Sequence, residues 1–393
     1  MTAPLKVLFV DDETRVLEAL ERVLFDIEND WETRFVSGGD QAMRELEQQP
    51  CDVVVSDLRM SGMDGVALLT RVAELYPRTV RIVLSGHSDE EAALKMVRVA
   101  HQFLAKPCAA ETLYHVIARA EQLTSVLRDR KLQALVGQVG VLPSAPSLRR
   151  ELSELLDRAD SASGASALAT LIKQDPAMTS KLLQVASSAF FNSSASVADV
   201  ESAIMRLGYR TLRNLTLSLG DSQPPRTSRA TSLSTDALQQ RSLGIARLAS
   251  RMVRLPEDES AAYIAGLLCD VGQLVLASAA PERLYVTEAE SAQRGVPVHV
   301  AEQATWGATH AEIGAYLLGL WGLPFQIVEA VANHHAPERG SADRLGLPQL
   351  VWLAACIVEG QEPAAELLHR FGAEELYDRH RRELAQTGLG TQS

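Results

Sequence analysis

The sequence predicts a two-part chain: an α/β unit built on a parallel sheet with helices on both faces, followed by an all-α region. Three observations predict it. Before about residue 123, short apolar runs alternate about five times with helix-period stretches, the pattern of strands joined by crossover helices. From about Leu148 onward the apolar residues recur at a spacing near 3.6 almost throughout. The chain has 393 residues, 46% hydrophobic and 22% charged, which exceeds one ordinary core and suits two or three domains.

Leu5–Val10, Cys51–Ser56 (CDVVVS) and Val80–Leu84 (VRIVL) are mostly apolar, as strands covered on both faces require, and Thr33–Val36 and Gln102–Ala105 are shorter candidates. Helix-period stretches lie between and after them at Thr14–Ile27, Asp40–Gln48, Gly65–Leu75, Asp89–Val99 and Glu111–Leu123. The last is expected to run on to about Val136 as one long connector helix, until Pro143 and Pro146 in VLPSAP break it. Beyond it, LRRELSELLDRA, LATLIKQ, AMTSKLLQVASSAFF and VESAIMRLGYRTLRNLTLSL read as helices. Gly220–Thr235 is polar and rich in Pro and Ser, an expected exposed loop, and a second helical block spans about Asp236 to Glu359. The expected division is therefore 1–123 for the α/β unit, 124–142 for the connector, 143–378 for the helical domain and 379–393 for a frayed tail.

The net charge of −12 and pI near 5.3 disfavour broad nucleic-acid binding, which needs a basic surface; Arg206, Arg210 and Arg213 form the best local basic patch. Met1–Pro4 leads straight into an apolar strand, so no signal peptide is expected. No membrane span is expected either: the richest apolar stretch, Ala261–Ala280, carries Asp270 and Gln273. Cys51, Cys108, Cys269 and Cys356 lie far apart, as small core residues in a reducing, cytoplasmic setting would. The runs at Ala186–Phe191 and Trp306–Trp321 suit helix packing, with exposed apolar surface for a partner as the alternative.

Asp11 and Asp12 follow the first strand, Asp57 the third, Ser85 the fourth and Lys106-Pro107 the fifth. In an open parallel sheet these ends face one crevice, where ligands bind. Three crowded carboxylates call for a counter-ion, and oxygen ligands at that density suit Mg²⁺. A hydroxyl and an ammonium would hold the oxygens of a carboxyl phosphate.

With Asp57 set in VVVSDLRMSGMDG, followed by Ser85-Gly86 and Lys106-Pro107, residues 5–122 resemble the response-regulator receiver family. The resemblance implies a flavodoxin-like fold with strand order 2-1-3-4-5. It implies that a histidine kinase phosphorylates Asp57, and that Mg²⁺ is held by Asp12, Asp57 and the backbone carbonyl of Arg59, with Asp11 acting through water. Ser85 and Phe103 would be the switch pair, and Lys106 would pair with the phosphoryl oxygens. The family commonly dimerises through the face near the last two helices, so a homodimer is a further expectation.

In the helical half, GLLCDVGQLVL (Gly266–Leu276), HAEIGAYLLGLWGLP (His310–Pro324) and IVEAVANHHAP (Ile327–Pro337) resemble the HDOD family, a branch of the HD superfamily related to cyclic-di-GMP phosphodiesterases, over about residues 140–360. The superfamily's His-Asp pair falls on Cys269-Asp270, a further His position on Arg241 and a common Lys position on Gln273. That leaves Asp270, His310, His334 and His335 as the remaining ligand candidates. A guanidinium at a ligand position repels a metal, and one thiolate does not rebuild the site. Asp270 could instead pair with Arg241. The expected function is a two-component response regulator with a non-catalytic HDOD output that binds an unidentified signalling protein and needs no metal of its own. The alternative is a receiver-controlled, metal-dependent phosphodiesterase or phosphohydrolase of the cyclic-di-GMP type.

Overall fold

Five apolar runs pair side by side into one parallel sheet of order β2-β1-β3-β4-β5. The computed structural model describes residues 4–25, 27, 30–86, 90–158, 162–188, 190, 199–220, 234–340 and 344–387. The α/β unit runs β1 (Lys6–Val10), α1 (Thr14–Phe25), β2 (Glu32–Val36), α2 (Gly39–Gln48), β3 (Val53–Ser56), α3 (Gly65–Leu75), β4 (Val80–Ser85), α4 (Glu90–Lys95), β5 (Gln102–Ala105) and α5 (Ala110–Val126). The most apolar strands take the middle places: every residue of β3 and β4 is buried, whereas β2 at one edge buries only Val36. Pairing aligns Val10 with Ser56 and Ser85 with Ala105, so the residues that follow β1, β3, β4 and β5 emerge at one end of the sheet.

The long connector helix expected from Glu111 to Val136 is broken. Helix α5 stops at Val126, Leu127 is extended and buried, and a separate α6 (Arg130–Gly137) follows. The cause is local: the Asp129 carboxylate caps α6 by accepting from the backbone N–H groups of Lys131 and Leu132.

The remainder is helical: α7 (Pro146–Arg158), α8 (Ala162–Ile172), α9 (Pro176–Ala186), α10 (Val200–Gly220), α11 (Thr235–Met252), α12 (Glu259–Leu268), α13 (Val271–Ala279), α14 (Pro281–Arg294), α15 (Val298–Trp306), α16 (His310–Leu320), α17 (Phe325–Asn333), α18 (Leu347–Glu359), α19 (Ala365–Phe371) and α20 (Glu374–Thr387). Helix α10 kinks at Gly208, whose φ is 73°. The expected loop at Gly220–Thr235 lies outside the described residues, apart from its two helical ends. The expected boundary between residues 378 and 379 falls inside α20.

One apolar core runs through both parts, so the connector joins two units that are packed on each other. All of α9 is buried, because it lies between β5 on one side and α8, α10 and α12 on the others. Ala186, Phe190, Trp306 and Trp321 are core residues, so these positions serve helix packing and are not exposed partner surface. Among the described residues, one stretch, Pro256–Ala279, has the length and apolarity to cross a membrane; it comprises α12 and α13, and its apolar window is 83% buried inside the fold.

Candidate functional sites

The first site sits at the carboxyl end of the sheet. Ligand oxygens of Asp11, Asp12 and Asp57 lie within 4.8 Å of one another. Asp11 and Asp57 are nearly buried, at 1% and 7% exposed. Backbone N–H groups hold each carboxylate: Asp11 accepts from Glu13 and Asp57 from Leu58 within their own loops, and Asp12 accepts from Ser61 in the loop after β3. Lys106, immediately after β5, reaches Asp11 Oδ2 at 2.5 Å and Asp57 Oδ2 at 3.1 Å. Burial pushes the Asp57 carboxyl above its usual range and Asp11 adds to this, while Lys106 opposes both. Ser85 ends β4 and is buried, its carbonyl accepting from the Lys106 N–H; Phe103 is buried in β5. Arg59 follows Asp57 by two residues, in the loop before α3. The pocket is therefore an acidic nest with Lys106 set among its carboxylates, on which an incoming phosphoryl group and a divalent ion would both find partners.

The second site lies among α11, α13, α15, α16 and α17. Asp270 is its centre, 2% exposed. Arg241 from α11 donates from Nε to Asp270 Oδ2 at 3.0 Å, with Nη2 also 3.0 Å away, and its Nη1 lies 3.8 Å from Glu359. His310, the first residue of α16, is 3.3 Å from Asp270 Oδ1 through Nε2 and 2.7 Å from Glu302 through Nδ1. His335 Nε2 stands 3.0 Å from His310 Nε2, and the His335 ring stacks on His299. His334 bonds the Val331 carbonyl through Nδ1, and its buried Nε2 is 3.9 Å from Asp270. Cys269 is fully buried, and burial holds its thiol well above the usual range.

The electrostatics of this cluster are self-contained. Burial alone would raise Asp270, but Arg241, His310 and His334 hold it well below the carboxylate range. Burial would lower His310, but Glu302 and Asp270 push it up to about 10. Burial pushes His334 down to about 4. Near neutral pH the centre of the site thus sets Asp270 and Glu302 against Arg241 and a doubly protonated His310, with the Glu359 carboxyl at the edge beside Arg241.

A response regulator receiver domain model matches residues 7–118, and an HDOD domain model matches residues 142–337. The chain is a response regulator with an HDOD output domain. It is 28% identical over 269 residues to an uncharacterized protein of Treponema pallidum, a match covering 64% of this chain and 51% of that protein. It is 35% identical over 158 residues to the hydrogenase transcriptional regulatory protein HoxA of Cupriavidus necator, covering 40% of this chain and 31% of HoxA. The chain thus spans about half of the first relative and about a third of the second. Among solved structures it is similar to the MmoQ response regulator of Methylococcus capsulatus, at 25% identity and a TM-score of 0.47, covering 61% of this chain and 97% of that one.

The receiver brings Asp11, Asp12, Asp57 and Lys106 together. The HDOD domain brings together Arg241, Asp270, His310, His334 and His335, and sets Cys269 beside them. Three participants escaped sequence reasoning: Glu302, which is fully buried and orients His310; His299, which stacks on His335; and Glu359, beside Arg241. Nothing in the run VHVAEQATW marks Glu302 as buried, since its partner begins another helix.

A glycine sets the spacing of the cluster. Helices α13 and α16 cross with their backbones in contact, and a Cβ on Gly272 would lie 1.9 Å from the His310 carbonyl oxygen. Gly272→Ala is expected to lower HDOD stability by about 2 kcal/mol, the overpacking penalty less the gain in helix propensity. Chemical denaturation checks the value; an unchanged midpoint would mean that the helices can separate freely.

Proposed function

We propose that a sensor histidine kinase phosphorylates Asp57 and that the HDOD domain is a non-catalytic output that binds a downstream signalling protein. The observation that supports it best is the placing of Lys106 between Asp11 and Asp57 in a nest of three carboxylates. An Asp57 oxygen attacks the phosphorus of a phosphohistidine that is protonated on its other ring nitrogen, the P–N bond breaks, and neutral imidazole leaves with that proton. Asp11, Asp12, Asp57 and the Arg59 carbonyl fit Mg²⁺ by donor type, all hard oxygens. When bound, the ion supplies charge neutralisation for the phosphoryl oxygens. Lys106 then exchanges a carboxylate partner for a phosphoryl oxygen, and Ser85 offers a hydroxyl to another. The whole exchange belongs in the cytoplasm, where histidine kinases present their phosphohistidine.

In the HDOD domain the charge of Asp270 is already balanced by Arg241 and His310. A divalent ion would have to displace the His310 proton and sit beside a guanidinium, and this opposes the phosphodiesterase alternative. The acidic net charge argues against a nucleic-acid partner, and a homodimer through the face near α4 and α5 would have to displace the HDOD contacts those helices make.

The test is incubation of the whole protein with acetyl phosphate and Mg²⁺, followed by mass mapping of the modified peptide. One phosphoryl group on Asp57 is expected, and none without the cation. An unmodified chain would overturn the reading. Metal analysis of the purified protein, then assay with cyclic-di-GMP and Mn²⁺, tests the second half; stoichiometric metal with turnover would reject the non-catalytic output.

A further inference from the structure

The HDOD domain grips the receiver at the entry to β5 and along α5. Gln184 on α9 donates from Nε2 to the carbonyls of Ala100 (3.1 Å) and His101 (2.8 Å), the two residues that lead into β5. Arg119 on α5 donates to the Leu323 carbonyl at 2.8 Å, just past α16. Leu123 fills the space beside Gly319 so closely that a Cβ there would come 2.2 Å from it. Arg81, buried at the start of β4, donates to the Gly137 carbonyl at the end of α6 at 2.6 Å. Contacts of this kind alone would make a permanent joint.

One residue works against that permanence. Lys181 lies on α9, one turn before Gln184, and is 1% exposed. Among the described residues nothing accepts a hydrogen bond from its Nζ, and the Oε1 of Gln184 is likewise buried without a partner. The Lys181 Nζ sits 4.1 Å from the centre of the Trp321 ring at the end of α16. Its charged neighbours Arg81 and Arg98 have the same sign, and burial together with them pushes Lys181 well below the usual lysine range. A cation–π contact recovers only a fraction of what a buried ammonium loses in hydration, so the closed state favours the neutral amine, which still lacks a hydrogen-bond acceptor among the described residues.

We propose that Lys181 makes the receiver–HDOD contact a reversible latch: its Nζ, buried without a hydrogen-bond acceptor among the described residues, regains its hydration when the two domains part, so the closed state is held less tightly than its packing would allow. The closed state is marked by discrete contacts, Gln184 on the β5 entry and Leu123 against Gly319, both of which an open state would lose. From Ala100 and His101, β5 leads in four residues, roughly 13 Å, to Lys106 in the acidic nest. The latch concerns the domain contact itself and stands or falls independently of whether Asp57 accepts phosphate.

The experiment is native-state hydrogen exchange on the whole protein, read at peptides spanning β5, α9 and α16, with α18 as an internal control. Lys181→Met keeps the length of the stem and removes the charge. Exchange at the three junction elements is expected to slow by about tenfold, with α18 unchanged. Gln184→Ala is expected to accelerate the same peptides, which identifies them as reporters of opening. Unchanged or faster exchange in Lys181→Met would overturn the proposal. So would a methionine variant that fails to fold, because the ammonium would then support the contact.

Discussion

Replacing Asp57 with asparagine is expected to abolish phosphoryl uptake and, at the same time, to make the protein more stable near neutral pH. The first effect follows from chemistry, since an amide oxygen cannot form the acyl phosphate. The second follows from the pocket. Burial raises the Asp57 carboxyl above its unfolded value and Asp11 adds to this, although Lys106 draws it down. An acid whose folded-state value is raised binds protons more readily in the native state, so its ionised form weakens the fold. That penalty is absent below the unfolded carboxyl value of about 3.9, and grows as pH rises through the folded-state value. The uncharged variant therefore gains on the order of 1 kcal/mol near pH 7, a typical single-residue effect, and loses the gain towards pH 4. Thermal melts without divalent ions at the two pH values measure it. Added Mg²⁺ should stabilise the native protein more than the variant, because the ion binds the folded carboxylates. A variant less stable at neutral pH would show that the Lys106 contact outweighs the crowding.

Arg241→Met is expected to cost the HDOD domain about 3 kcal/mol, the lower end of the range for breaking a buried ion pair. The methionine leaves Asp270 buried at 2% exposure, without the guanidinium that donates to it at 3.0 Å. Two features keep the cost from being larger: the Arg241 side chain is 32% exposed, and His310 still approaches Asp270 at 3.3 Å. The double variant Arg241→Met, Asp270→Leu should regain much of the loss, since removing both charges leaves neither unpaired. Urea denaturation of the four proteins closes the cycle. A single variant as stable as the parent would mean that His310 alone neutralises Asp270.

Most of the receiver was legible from the chain. Its central strands are short runs rich in Val, Ile and Leu, and the candidate site residues lie at or directly after strand ends, so covalent sequence carries both to the same end of the sheet. Asp11, Asp12, Asp57, Ser85 and Lys106 needed only the rule that parallel strands share a direction. The break between α5 and α6 was legible too, but was misread: Asp129 before a run of helix formers is an N-cap signal that the apolar period across Leu127 obscures. In the HDOD domain the motif residues could be found but not their partners. Whether Arg241 meets Asp270, 29 residues later, depends on how their helices cross.

By itself the sequence determined the order of elements, the α/β and all-helical division and the acidic cluster, because these depend on local periodicity and on neighbours along the chain. Tertiary structure alone decided that His310 lies between Asp270 and Glu302, that Gly272 lets α13 and α16 touch, and that Lys181 is sealed between the domains. Burial and charge compensation are properties of surfaces brought together by packing, and no periodicity in one helix specifies which surface it will meet.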